Sequence, residues 1–203
     1  MFEETGDDKH ITEERLFTEI DGWVISGAID VQRVEEDGIT ILDYKTTSVW
    51  SVIFGKEGWE TQLNCYASLV RRAKSKKVKA LKVVAILRDW NRRDAEQKQD
   101  YPKAPIVEID IPMWDEPVQD QYLEDRVALH QSAEFQRLTG AELPECSKED
   151  RWEKPSIWAV KKKGNKRAIK LYDSESEAKA ALLDGQEVEF RRGEPGRCAA
   201  NWC

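Results

Sequence analysis

The sequence predicts an α/β fold: a central mixed sheet opened by an antiparallel meander and flanked by helices, with a small α+β lobe at the C-terminal end. Three observations carry this. Asp21-Gly22 and Asp37-Gly38 punctuate alternating stretches in the first fifty residues, and such pairs mark tight hairpins because both turn residues reach positive φ. A segment of helical period follows, and then a continuous apolar run, VVAIL at Val83–Leu87, that suits a buried strand. After Pro144 the texture changes to short strand-like runs around one short helix.

The first strand is expected over Ile11–Ile20, the second over Trp23–Arg33 and the third over Ile39–Thr47. A loop is expected from Ser48 to Gly58, then a helix over Trp59–Lys74 that repeats Leu63, Tyr66, Ala67 and Val70 on one face. Further strands are expected within Lys77–Trp90 and at Ile106–Ile111, the latter stopped by Pro112. A long amphipathic helix then runs from Asp115 to Leu138 and closes at Gly140. Ser156–Val160 and Arg167–Tyr172 pair around Gly164-Asn165. A helix from Ser174 to Leu183 and a strand at Glu187–Phe190 complete a ββαβ unit. The domains are therefore expected at 1–145 and 146–203.

Hydrophobic residues make up 40% and charged residues 35% of the 203, so a core and a heavily charged surface are both available. No apolar run approaches the ~20 residues that span a bilayer, and the acidic start MFEETGDDKH is unlike a secretory signal. A cytoplasmic protein with no membrane partner is expected. The net charge of −7 argues against non-specific coating of nucleic acid, but not against an enzyme whose metal site concentrates carboxylates. Basic residues cluster in Arg71–Lys82 and Lys161–Lys170, each readable as a solvated face or as a phosphate contact.

The chemistry-bearing segments are GAID, Gly27–Asp30, and DYKTT, Asp43–Thr47. With Asp37-Gly38 as a two-residue turn, Asp30 lies directly opposite Lys45 and Asp43 opposite Gln32, all on one face because side chains alternate. Trp23, Ile25, Ile29 and Val31 then face the core. Glu13 falls opposite Asp30 as an exposed edge residue or a third carboxylate. Two close carboxylates repel unless a cation sits between them, and Mg²⁺ takes one or two carboxylates plus water and phosphate oxygens. Alone, the set also reads as a cross-strand ion pair worth ~0.2–1 kcal/mol.

The order G-x-x-D, then D-Y-K-T, then Gln62-x-x-x-Tyr66 resembles the RecB-type exonuclease branch of the PD-(D/E)XK nuclease superfamily. Phage recombination exonucleases and CRISPR-associated adaptation nucleases are relatives. The resemblance covers Thr12–Trp90. It implies a restriction-endonuclease-like fold and a Mg²⁺- or Mn²⁺-dependent DNA exonuclease acting in phage or bacterial recombination and repair. It implies Asp30, Asp43 and the Tyr44 main chain as metal ligands and Lys45 as catalytic, with Gln62 and Tyr66 positioning substrate. DNA and phage or bacterial recombination proteins are the implied partners. The alternative, from another class, is a nuclease-fold module that binds DNA or a protein without cutting.

Two departures bear on these implications. Relatives carry a metal-ligand histidine on a helix before the first strand; here His10 sits in a polar segment with no helical pattern. The expectation is that this helix is missing, the chain being a fragment or the product of a truncated gene. Several relatives also hold a [4Fe–4S] cluster, for which Cys146, Cys198 and Cys203 resemble three ligands, a fourth belonging to a longer form of the chain. Three free thiols are the other reading, and Cys65 reads as a buried small apolar residue. Arg88, Trp90, Arg92 and Arg93 form a basic loop, either solvated or tracking single-stranded DNA.

Overall fold

The computed structural model describes residues 9–55 and 57–200. These fall in two compact units that divide between Thr139 and Gly140.

The first unit is built on a five-stranded sheet: β1 (His10–Ile20), β2 (Trp23–Glu35), β3 (Gly38–Thr47), β4 (Val78–Leu87) and β5 (Ile106–Ile111), in that spatial order. β3 and β4 run parallel and every other neighbouring pair is antiparallel. The sheet is therefore mixed, as expected. The parallel step requires a crossover, supplied by α1 (Val49–Phe54) and α2 (Glu57–Lys74). α2 contacts all five strands. Its Leu63, Ala67 and Val70 are buried with Ile29, Ile41, Leu81 and Val83, and Tyr66 packs at the margin. α3 (Arg92–Gln97) follows β4, and α4 (Glu116–Thr139) packs on α2 and ends at Gly140 with φ +71°.

A seam of charge fastens α4 to α2. The Asp120 carboxylate accepts hydrogen bonds from Ser68 Oγ at 2.9 Å, from Arg72 Nε at 3.2 Å and from the Arg71 guanidinium. Cys65 packs beside the small Ile20–Leu123–Val127 cluster, and burial pushes its thiol pKa up, as suits an apolar filler.

Two segments read as loops contain helices. Val49 is buried and anchors α1 inside the stretch 48–58, while Asn91 caps α3 by accepting from Asp94 N. Trp90 is half-buried and its indole N–H donates to Pro102 O at 2.8 Å, so this ring is committed to the fold.

The second unit holds a three-stranded antiparallel sheet in the order β7–β6–β8: β6 (Ile157–Lys162), β7 (Ala168–Tyr172) and β8 (Gln186–Arg191). α5 (Glu175–Ala180) joins β7 to β8, and its cap Ser174 accepts from Glu177 N. This is the expected ββαβ unit, and a short α6 (Gly196–Ala199) follows.

Candidate active site

The first hairpin turns at Asp21-Gly22, both at positive φ, as the dipeptide requires. The second does not turn where Asp37-Gly38 suggests. Val34 pairs with Ile39 and Glu35 with Gly38, so the turn residues are Glu36 and Asp37, neither at positive φ. Gly38 is glycine for another reason. It sits at φ +149°, and a Cβ there would lie 2.8 Å from Lys77 O, the carbonyl that accepts the Ile39 N–H.

The expected register is therefore corrected by two residues. A shift of two preserves which face each residue takes. Continuing the observed pairing brings Asp30 level with Asp43 rather than with Lys45, while Gln32 pairs with Ile41.

A second correction concerns alternation. Ile29 and Gln32 are both fully buried, which strict alternation forbids for residues three apart. β2 changes face between them, at Asp30–Val31, and Glu13 on β1, between the pairs Thr12–Val31 and Glu14–Ile29, adopts φ +52°. Trp23 is exposed, and Gln32 takes the inward place expected of Val31, bonded to Glu14 and Lys74.

This irregularity makes a fork. β2 pairs with β3 only over Val31–Glu35; toward Trp23 it pairs with β1 alone. At the fork the Asp30 side chain replaces the absent backbone partner, its Oδ2 accepting the Tyr44 N–H at 2.8 Å. Asp43 is next in the chain and only 2% exposed. Lys45 Nζ lies 2.7 Å from Asp43 Oδ2, so the ammonium offsets part of the charge on this buried oxygen. Burial raises the Asp43 pKa above the usual carboxylate range; Lys45 opposes the shift, and the Asp30 charge adds to it. A buried carboxylate beside a second carboxylate can lower its energy by taking up a proton or by gathering positive charge around it.

α2 forms a wall over β2 and β3. Gln62 Nε2 donates to Tyr66 Oη at 2.9 Å, the i, i+4 contact expected of one helix face. Gly27 is set by this wall: a Cβ there would come within 2.8 Å of both the Tyr66 ring and Leu69 Cδ1.

A sequence profile of the PD-(D/E)XK nuclease superfamily matches residues 2–200. The chain belongs to the PD-(D/E)XK nuclease superfamily. The chemistry of this superfamily is hydrolysis of nucleic acid, typically with divalent metals, and the mixed sheet flanked by helices is its fold. No curated protein matches the chain. A solved structure, SSO0001, is similar at 22% identity and a TM-score of 0.40 over 61% of this chain; the chain spans about half of that protein, 52%.

Other residues singled out in the sequence can now be located. His10 opens β1, paired with Arg33, three residues along β2 from Asp30. Cys146 and Cys198 are exposed free thiols, and Cys203 lies outside the described residues. Among the described residues no three His, Cys, Asp or Glu side chains gather into a metal-holding group. The cluster expectation therefore gains no support, and a cation at the fork would rely on two carboxylates with main-chain and water oxygens. No helix among the described residues is long and apolar enough to cross a membrane.

Proposed function

We propose that this protein is a divalent-metal-dependent deoxyribonuclease of the RecB-type branch, degrading DNA from an end in phage or bacterial recombination or repair. The observation that carries the reading is the fork itself, where Asp30, the buried Asp43 and Lys45 meet.

The donor set suits a hard cation. Asp30 and Asp43 would hold Mg²⁺ or Mn²⁺ with the Tyr44 carbonyl, and such a cation, when bound, lowers the pKa of water and stabilises charge growing on phosphorus. Lys45 brings its ammonium to the same place, where it can hold the attacking water or neutralise the developing oxyanion. Gln62 donates to the Tyr66 hydroxyl, which leaves the phenolic proton free to bond a phosphate oxygen and fix the strand. Cluster ligation by Cys146, Cys198 and Cys203 rests on resemblance alone and forms no part of this reading.

The test is nucleotide release from end-labelled single- and double-stranded DNA with Mn²⁺, Mg²⁺ or EDTA, alongside Lys45→Ala. Release that needs the metal and falls by about 10²–10³-fold in the variant is the expected result. Well-folded protein that binds DNA but cuts neither substrate would leave the non-catalytic module as the better description.

A further inference from the structure

We propose that α1 carries a stacking platform for unpaired bases, formed by Trp50 and Phe54, so that the substrate is engaged as a single strand or a frayed end. This rests on the nucleic-acid reading of the fork and adds the strand state of the DNA. Trp50 and Phe54 are 60% and 78% exposed, and their rings stack on each other with centroids 5.7 Å apart and planes 9° apart. The stack presents aromatic surface that the fold does not cover.

The helix beneath the pair is held firmly. Val49 is buried in the main core and its N–H donates to Asp89 Oδ1 at 2.8 Å. Position does the rest. α1 leaves the end of β3, and Trp50 follows Lys45 by five residues, a reach of at most about 18 Å. A strand held at Lys45 therefore has the rings within the reach of a few nucleotides.

The surroundings are charged rather than apolar. Trp50, Ile53 and Phe54 line a surface cleft with Asp89, Asp94, Lys98 and Asp100. Asp89 accepts from Val49 N and Asp94 pairs with Lys98 at 3.1 Å, while Asp100 makes no ion pair among the described residues, so phosphates would have to be held by the arginines at the edge of the cleft. Arg88 leaves β4 beside β3, its N–H donating to Thr47 O, and Arg88, Arg92 and Arg93 are exposed. None of the three makes an ion pair within 4 Å among the described residues. Cations for phosphates beside open rings for bases are the two components of a single-strand groove. A duplex keeps its bases stacked inside and offers the rings nothing.

The test is fluorescence anisotropy of a labelled oligothymidylate and of a blunt hairpin duplex in EDTA. It compares the full chain with W50A/F54A and with the ring-preserving W50F/F54Y. The expected result is a single-strand Kd at least tenfold weaker in W50A/F54A, duplex binding within threefold, and W50F/F54Y like the parent. Equal single-strand affinity in W50A/F54A overturns the platform. So does an equal loss on both DNAs, no single-strand binding by the parent chain, or an effect confined to self-association in sedimentation. Because this binding needs neither metal nor cleavage, the two readings fail separately. Ring-dependent binding without cutting sinks only the nuclease, and cutting with ring-independent binding sinks only the platform.

Discussion

Asp43 and Asp120 are two carboxylates drawn inside the same unit and treated in opposite ways. Asp120, at the seam of α2 and α4, receives three side-chain donors, Ser68, Arg71 and Arg72. Burial pushes its pKa up, but the two guanidiniums and the hydroxyl outweigh it, and the result lies below the usual range. Asp43, at the fork of β2 and β3, is more deeply buried, faces one ammonium and one like charge, and ends above that range. One carboxylate is stabilised in its charged form by its surroundings and the other is not, and the second pattern is the one the proposed metal site calls for.

Substitutions can break this contrast, and the largest effect belongs to the seam. Asp120→Ala removes three side-chain donors' shared acceptor and leaves Arg71 and Arg72 only their longer contacts with Glu116 and Glu124, so urea denaturation should register a loss of about 2–3 kcal/mol. Next is Gly27→Ala, which forces a methyl group against Tyr66 and Leu69. Overpacking of this kind costs about 1–3 kcal/mol, and nucleotide release should fall with it, because the Tyr66 ring must move. A normal melting curve and normal release in this variant would mean that the α2 wall is compliant.

Asp43→Asn should have the opposite sign. In EDTA at neutral pH it removes a poorly solvated charge, so stability should rise by about 1 kcal/mol, a few degrees in Tm, while stabilisation by Mn²⁺ disappears. A destabilised Asp43→Asn would show that Lys45 already satisfies the carboxylate.

The pH dependence sharpens the same contrast. The folded pKa of Asp43 is raised, so its contribution is fully present below the ordinary aspartate pKa and is lost as pH climbs through the raised folded value. For Asp120, whose folded pKa is lowered, the contribution holds above the ordinary value and is lost as pH falls through the lowered one. Subtracting Asp43→Asn and Asp120→Asn stability profiles from that of the parent should give slopes of opposite sign. The smallest effect is expected from Tyr66→Phe, which removes one exposed-side hydrogen bond worth about 1 kcal/mol or less.

Much of this was legible in the residues. Alternation and Asp21-Gly22 define the first hairpin, the Leu63–Val70 spacing defines α2, and the shared face of Asp43 and Lys45 survives the register error, whereas Asp30 lies at the face change, where alternation no longer fixes its side. The misreading of Asp37-Gly38 is instructive: a glycine required by a distant carbonyl, Lys77 O, looks identical in sequence to one required by a turn. The face change at Asp30–Val31 was hidden too, since it depends on Gln32 finding Glu14 and Lys74. The short α1 was masked by its exposed apolar residues, which resemble loop hydrophobics until Val49 is seen in the core. Nor does any local pattern predict how deeply Asp43 is buried, which depends on the strands and helix that pack against β3.

The crossover between β3 and β4 sets an order of assembly. β1, β2 and β3 are joined by short turns and can pair early, bringing Asp30 and Asp43 together while both are still wet. β4 and α2 arrive only after some thirty residues of intervening chain have closed, and slow loop closure delays parallel pairing. On that order Asp43 would lose its water late, and a cation bound there would act on the finished protein. Stopped-flow chevrons with and without Mn²⁺ should show the unfolding arm slowed and the refolding arm almost unmoved, which makes the ion a latch on the folded state rather than a nucleus for reaching it.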